Sequence, residues 1–142
     1  MTKEKANATV MLEIFSAIER RDPQRVADLC HPDVEFSWPA ELPYGGTTRG
    51  LQAEGPTWIH TWAPLQPTEA ERSMEPRVVG SSGDEVVVLW RQRGLSPIGE
   101  RFDGPVLALY TVRDGRLARA QMFYFETPAL VEFLRRASDE AA

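Results

Sequence analysis

Two histidines, one cysteine and scattered carboxylates are the residues with which this chain could do nucleophilic, metal or acid–base chemistry. Their spacing supports none of the common arrangements. His31 and His60 stand far apart, no His-Glu-x-x-His run occurs, and a zinc site lacks ligands, so no metal is expected. The lone Cys30 cannot form an internal disulfide and fits a small buried hydrophobe better than a nucleophile. Gly94-Leu95-Ser96-Pro97-Ile98-Gly99 has the wrong spacing for a nucleophile elbow, and no glycine-rich loop ends in Gly-Lys-Ser/Thr. No cofactor is expected. Arg91, Tyr110 and Gln121, the carboxylates of Glu35 and Asp103, and the aromatic groups at Trp38, Tyr44, Trp58 and Trp62 are the side chains whose placement decides what other chemistry is open to the chain. An arginine in an apolar hollow would grip a carboxylate, phenolate or carbonyl oxygen through two parallel hydrogen bonds.

The elements that must position these groups follow from periodicity. Val10, Met11, Ile14, Phe15 and Ile18 fall at steps of three and four, which predicts a helix over 8–20. Asp22 and Pro23 start a short second helix that ends before Pro32. Val34, Phe36 and Trp38 alternate with Asp33, Glu35 and Ser37, the pattern of a half-buried strand. Residues 39–50 hold two prolines and three glycines and predict a structured loop, and 51–63 predict a third helix carrying Trp58 and Trp62 on one face. Four strands follow, near 72–79, 85–93, 102–113 and 117–125, with turns at Ser81-Ser82-Gly83 and Asp114-Gly115. Gly104-Pro105 inside the third suggests a bulge or bent edge that leaves the direction of Asp103 open. Thr127 and Pro128 open a final helix with Leu130, Val131 and Leu134 inward, and 138–142 predict a frayed tail.

At 142 residues, 42% apolar and 26% charged, the chain fits one globular domain over 1–142 with a sizeable core. A net charge of −5 with scattered basic pairs argues against nucleic acid as a partner. No stretch has the length of a membrane span and the N-terminus lacks a signal-peptide core, so a cytoplasmic protein with no membrane partner is expected.

Helices, one strand, a third helix and then a long antiparallel meander is the order of the nuclear transport factor 2-like fold. His31-Pro32-Asp33-Val34-Glu35-Phe36 resembles the opening strand of SnoaL-like proteins, and the stretch from Leu42 to Gly50 resembles the loop after it. Val112 to Leu117, followed by Tyr124-Phe125-Glu126, resembles their last hairpin and C-terminus. This resemblance implies an α+β fold in which a cone-shaped, curved antiparallel sheet packs on three helices of the N-terminal half, with a short C-terminal helix, a cystatin-like roll. It also implies an apolar cup for a small apolar or aromatic ligand. The superfamily hosts isomerases, epoxide hydrolases, cyclases and non-enzymatic modules, so fold alone assigns no reaction.

The family chemistries lose their acids here. The isomerase-like base position falls on Trp38 and its oxyanion donors near Phe15 and Val106. Counted back without gaps from Asp114-Gly115, the epoxide-hydrolase arginine and aspartates fall on Leu89, Arg91 and Phe123, and the cyclase aspartate again on Phe123; a bulge would shift this register by one. On that count Val87, Leu89, Arg91 and Arg93 share the cup face with Phe102, Ala108, Tyr110, Arg119, Gln121 and Phe123. The expected lining is therefore Phe15, Trp38, Tyr44, Trp58, Trp62, Leu89, Arg91, Tyr110, Gln121 and Phe123, with Arg91, Tyr110 and Asp103 the catalytic candidates. Val86, Val88, Trp90, Leu107 and Leu109 would then form an apolar outer face suited to a homodimer. Two functions follow: a cofactor-free isomerase, cyclase or hydrolase acting on an apolar, oxygen-bearing compound, or a non-catalytic binding or dimeric scaffolding module.

Overall fold

The structure is a computed structural model that describes residues 2–51 and 63–141. Helix α1 (Lys3–Glu19) begins at Thr2, whose hydroxyl accepts a hydrogen bond from the Lys5 N–H at 3.2 Å. Its buried face carries Met11, Ile14 and Phe15, the predicted three-and-four spacing. The chain turns through Arg21, held at a φ of 58°, into α2 (Pro23–Asp28). There Asp22 accepts from the Arg25 N–H and Pro23 takes the first position, where a missing N–H costs nothing.

Six strands form one curved sheet: β1 (Cys30–Trp38), β2 (Gly46–Arg49), β3 (Arg77–Ser82), β4 (Glu85–Leu95), β5 (Arg101–Arg113) and β6 (Arg116–Tyr124). Their order is β2-β1-β6-β5-β4-β3. Neighbours run antiparallel except β1 and β6, which pair in parallel, so the expected antiparallel meander is present within a mixed sheet. Short α3 (Glu69–Arg72) and long α4 (Thr127–Ala141) complete the α+β architecture. No described helix is long and apolar enough to cross a membrane.

Several boundaries differ from expectation. The 39–50 loop contains β2, paired to β1 from Trp38↔Gly46 to Glu35↔Arg49. The segment near 72 is helical, and the strand begins only at Arg77. Helix α4 continues through the expected tail to Ala141. The predicted third helix, with Trp58, His60 and Trp62, lies outside the described residues. Gly104-Pro105 produces no bulge: β4 and β5 stay in register from Glu85↔Thr111 to Leu95↔Arg101.

The bulge lies instead just after the last hairpin. Asp114 and Gly115 both take positive φ, 53° and 73°, as a tight hairpin requires. Val112 pairs with Leu117, but Thr111 pairs with Arg119, leaving Ala118 as the extra residue. Side chains alternate with a period of two, so one inserted residue reverses the facing of all that follow. Without it, Arg119, Gln121 and Phe123 would lie opposite Tyr110, Ala108 and Val106. With it, Ala120, Met122 and Tyr124 do so.

The core forms between α1 and the inner sheet face. Met11, Ile14 and Phe15 pack on Val34, Val86, Val88, Trp90, Val106, Ala108, Tyr110 and Val112, all buried. A second cluster joins α4, through Leu130, Phe133 and Leu134, to Leu42, Tyr44 and Leu65. Gly94 permits this close packing, since a Cβ there would lie 2.8 Å from the Phe133 ring and 2.9 Å from the Pro64 carbonyl.

Candidate functional site

Strand β1 turns Val34, Phe36 and Trp38 toward the core, as their alternation predicts. Trp38 stacks on Phe36 at 5.5 Å and meets Tyr44 edge-on at 5.7 Å. Tyr44 is buried because the 39–45 loop folds tightly under it: Gly45 N–H bonds the Leu42 carbonyl at 2.8 Å, and a Cβ on Gly45 would collide with the Pro39 carbonyl. From the other side Phe15 on α1 presents its ring to Trp90 at 5.8 Å and to Tyr110 at 6.0 Å. Trp90 meets Tyr124 at 6.3 Å, so an aromatic chain runs from α1 across the inner sheet face to the loop. The Trp38–Tyr44, Phe15–Tyr110 and Trp90–Tyr124 pairs are near-perpendicular, the edge-to-face geometry that aromatic quadrupoles favour.

Polar groups are threaded through this wall. The Tyr44 and Tyr124 hydroxyls lie 3.2 Å apart, and Tyr124 donates to Oε1 of Gln92 at 3.2 Å. Gln92 is fully buried, and its Nε2 reaches the Arg93 carbonyl at 3.5 Å. Beside this ladder the Trp90 indole N–H is buried and makes no hydrogen bond among the described residues. It lies near enough to the Tyr110 hydroxyl to temper that group's pKa without meeting hydrogen-bond geometry. Burial pushes the Tyr44, Tyr110 and Tyr124 hydroxyls above their ordinary range, so all three stay protonated at neutral pH. The polar groups of the described inner face are thus neutral hydroxyls, an amide and an indole N–H, and its phenols are poor bases.

The expected polar lining is largely on the other side of the sheet. Leu89 and Arg91 face outward because Val88, Trp90 and Gln92 take the inner positions opposite Ala108, Val106 and Gly104. Arg91 pairs with Asp103 at 2.7 Å, and Arg93 holds the same carboxylate at 3.4 Å, so neither Arg91 nor Asp103 reaches the core. Gln121 and Phe123 face outward through the Ala118 bulge, and Phe123 is 57% exposed beside Leu107. Phe15, Trp38, Tyr44 and Tyr110 do converge on the inner side. Trp58 and Trp62 lie outside the described residues. The expected outer apolar face is also corrected: Val86, Val88 and Trp90 are core, and Val87, Leu89 and Phe123 join Leu107 and Leu109 outside.

Gln92 and Tyr124 are candidate site residues that sequence reasoning missed. Gln92 sits between two arginines and looks solvated, but it shares parity with Val88 and Trp90, the one signal that could have placed it. Cys30 is inert here, its thiol pushed up to about 11 by burial. The open cleft around His31, of about 470 Å³, is lined by charges of both signs, including Asp33, Glu35, Arg49, Arg113 and Arg119, and by none of the aromatic groups. Its His31 ring is tied to the Arg113 carbonyl at 2.9 Å.

Comparisons with known proteins agree with this fold. The model of the SnoaL-like domain family matches residues 11–120. TerC, in a structure co-crystallized with polyporic acid, is 24% identical with a TM-score of 0.76, over 92% of this chain and 98% of that one. An NTF2-like protein of unknown function from Burkholderia pseudomallei is 25% identical with a TM-score of 0.76, over 94% and 98%. A protein with a cystatin-like fold from Xanthomonas campestris is 18% identical with a TM-score of 0.74, over 90% and 97%. Comparison with curated proteins gives no match.

Proposed function

The chain belongs to the SnoaL-like domain family, and from that premise we propose that it binds an apolar, oxygen-bearing aromatic or polycyclic molecule against the inner face of its sheet. The observation that carries this is the buried Trp90 N–H, which makes no hydrogen bond among the described residues and lies beside the Tyr44–Tyr124–Gln92 ladder. A buried donor left unpaired costs about 1–3 kcal/mol, and a ligand oxygen would recover that cost. TerC shares the fold and was co-crystallized with polyporic acid; a small-molecule ligand for this chain is our extension of that likeness. Among the described strand residues the four carboxylates, Asp33, Glu35, Glu85 and Asp103, lie on the outer side, so any isomerisation or cyclisation would rest on oxyanion stabilisation by neutral donors rather than on a strand carboxylate.

A thermal-stability screen against aromatic ketones, lactones, quinones and carboxylates tests this, because a ligand bound to the native state raises the melting temperature by mass action. A ketone or quinone is expected to stabilise the wild type, and Tyr124→Phe to bind it about fivefold to tenfold more weakly through loss of one hydrogen-bonding group. If no compound binds, or Tyr124→Phe binds as well as wild type, the proposed ligand site is wrong.

The outer face supports a second reading. Leu107 (44% exposed) and Phe123 (57%) pair across β5 and β6 beside Leu89, with Val87 and Leu109 on the next rung. Ion pairs flank this apolar band, Glu35–Arg49 on one side and Arg91–Asp103 on the other. Such a patch bordered by both signs suits a second copy of the chain related by a two-fold axis. Phe123→Asp is expected to convert a dimer into a monomer in sedimentation at micromolar concentration. A wild-type monomer, or a dimer unaffected by Phe123→Asp, would remove this reading.

A further inference from the structure

Away from the aromatic wall, two guanidinium groups converge on one backbone oxygen. Gln66, at a φ of 55°, presents its carbonyl to Nη2 of Arg21 at 2.5 Å and to Nε of Arg72 at 3.4 Å. Arg21 is itself fixed by the left-handed turn that follows α1. Two like charges at one acceptor repel, and the Arg21 guanidinium is accordingly held below its ordinary range, by burial first and by the Arg72 charge second. Arg21 and Arg72 make no ion pair among the described residues, Glu69 included, and five neighbouring carboxylates are engaged elsewhere, Glu75 by Arg93. Glu13 holds Arg20 and Arg25, Asp22 holds Arg20 and caps α2, Glu19 accepts from the Met74 N–H at 2.8 Å, and Glu71 holds Arg101 and Thr68.

We propose that Arg21 and Arg72, clamped by the Gln66 carbonyl, form a binding site for a small oxyanion, a phosphate or carboxylate group, distinct from the inner aromatic site. Each guanidinium has five N–H donors in a planar fork and spends one on Gln66, so both retain donors with the geometry that oxyanions accept in pairs. The anion would also neutralise the repulsion that the fold leaves uncompensated. The chain is acidic overall, with a net charge of −5, so general electrostatics would not draw anions to it and the local pair must do so.

Titration of the wild type with inorganic phosphate and with acetate, followed by calorimetry and by amide chemical shifts against a chloride control of equal ionic strength, tests the site. Saturable binding of one of the two is expected, with shifts centred on residues 21, 66 and 72, and the tighter probe identifies the group. Arg72→Ala should weaken it at least about tenfold. Arg72→Lys keeps the charge and loses the fork, so it should fall between the two. In anion-free buffer Arg72→Ala should melt no lower than the wild type, because repulsion is relieved. Absence of saturable binding, or equal binding by Arg72→Ala, overturns the proposal. So does a loss of melting temperature in Arg72→Ala with its phosphate response intact, the signature of a purely structural clamp.

Discussion

Trp90→Ala is expected to destabilise the protein by about 3–5 kcal/mol, while Trp90→Phe should stay within about 1 kcal/mol of the wild type. Trp90 is 5% exposed and packs edge-on against Phe15 and Tyr124, so truncation to alanine opens a cavity between α1 and β6 that rigid neighbours cannot fill. Phenylalanine keeps most of that contact. It also removes a buried N–H that makes no hydrogen bond among the described residues, and relief of that cost offsets the smaller ring. Ligand affinity should behave oppositely, with Trp90→Phe losing about tenfold, the worth of one good hydrogen bond. Chemical denaturation and a binding isotherm on the same two variants check both halves. A Trp90→Phe protein as unstable as Trp90→Ala would show that the indole N–H is already satisfied.

Gln92→Glu should be the most pH-sensitive change on the inner face. Gln92 is fully buried, accepts from Tyr124 and points its Nε2 toward the Arg93 carbonyl. A carboxylate there would meet that carbonyl without a donor, and desolvation raises the pKa of a fully buried carboxyl by up to about 3–5. The folded-state pKa would then exceed the unfolded one. Stability is therefore retained below the unfolded value, about 4.3, and lost as pH rises from there through the folded pKa. Each step of one in pH between those two values removes about 1.4 kcal/mol, so we expect a deficit of about 3–4 kcal/mol at pH 7 that nearly disappears at about pH 4. Urea denaturation across that range measures it. A deficit independent of pH would mean that the new carboxyl reaches water, and that this part of the wall is open.

The contrast between β1 and β4 explains what could be read from sequence. In β1 polar and apolar residues alternate cleanly, and Val34, Phe36 and Trp38 lie where the pattern puts them. In β4 the run Val86-Val87-Val88-Leu89-Trp90 is apolar at every position, so period two carries no information about facing. The charges beyond it did carry some: Arg91 and Arg93 flank Asp103 across the β4–β5 pair, and opposite charges on adjacent strands mark a solvated face. For β6 the obstacle was Ala118, a bulge residue with no glycine or proline to announce it. Counted straight from the turn, Gln121 and Phe123 belong inside; counted through the bulge, Met122 and Tyr124 do. The inner face was thus recognisable as aromatic through Phe15, Trp38, Tyr44 and Tyr110, while its polar members, Gln92 and Tyr124, depended on strand registers set by long-range pairing.

If a ligand oxygen completes the hydrogen bonding of the Trp90 indole on the inner side of the sheet, the indole itself must report it. The Trp90 indole N–H resonance, assigned by its absence in Trp90→Phe, can be followed during titration with an aromatic ketone or quinone that stabilises the protein. A downfield, saturable displacement of that resonance, with the amides around Phe123 unmoved, is the predicted result. Saturable binding that leaves the Trp90 indole in place and moves the outer-face amides instead would contradict it.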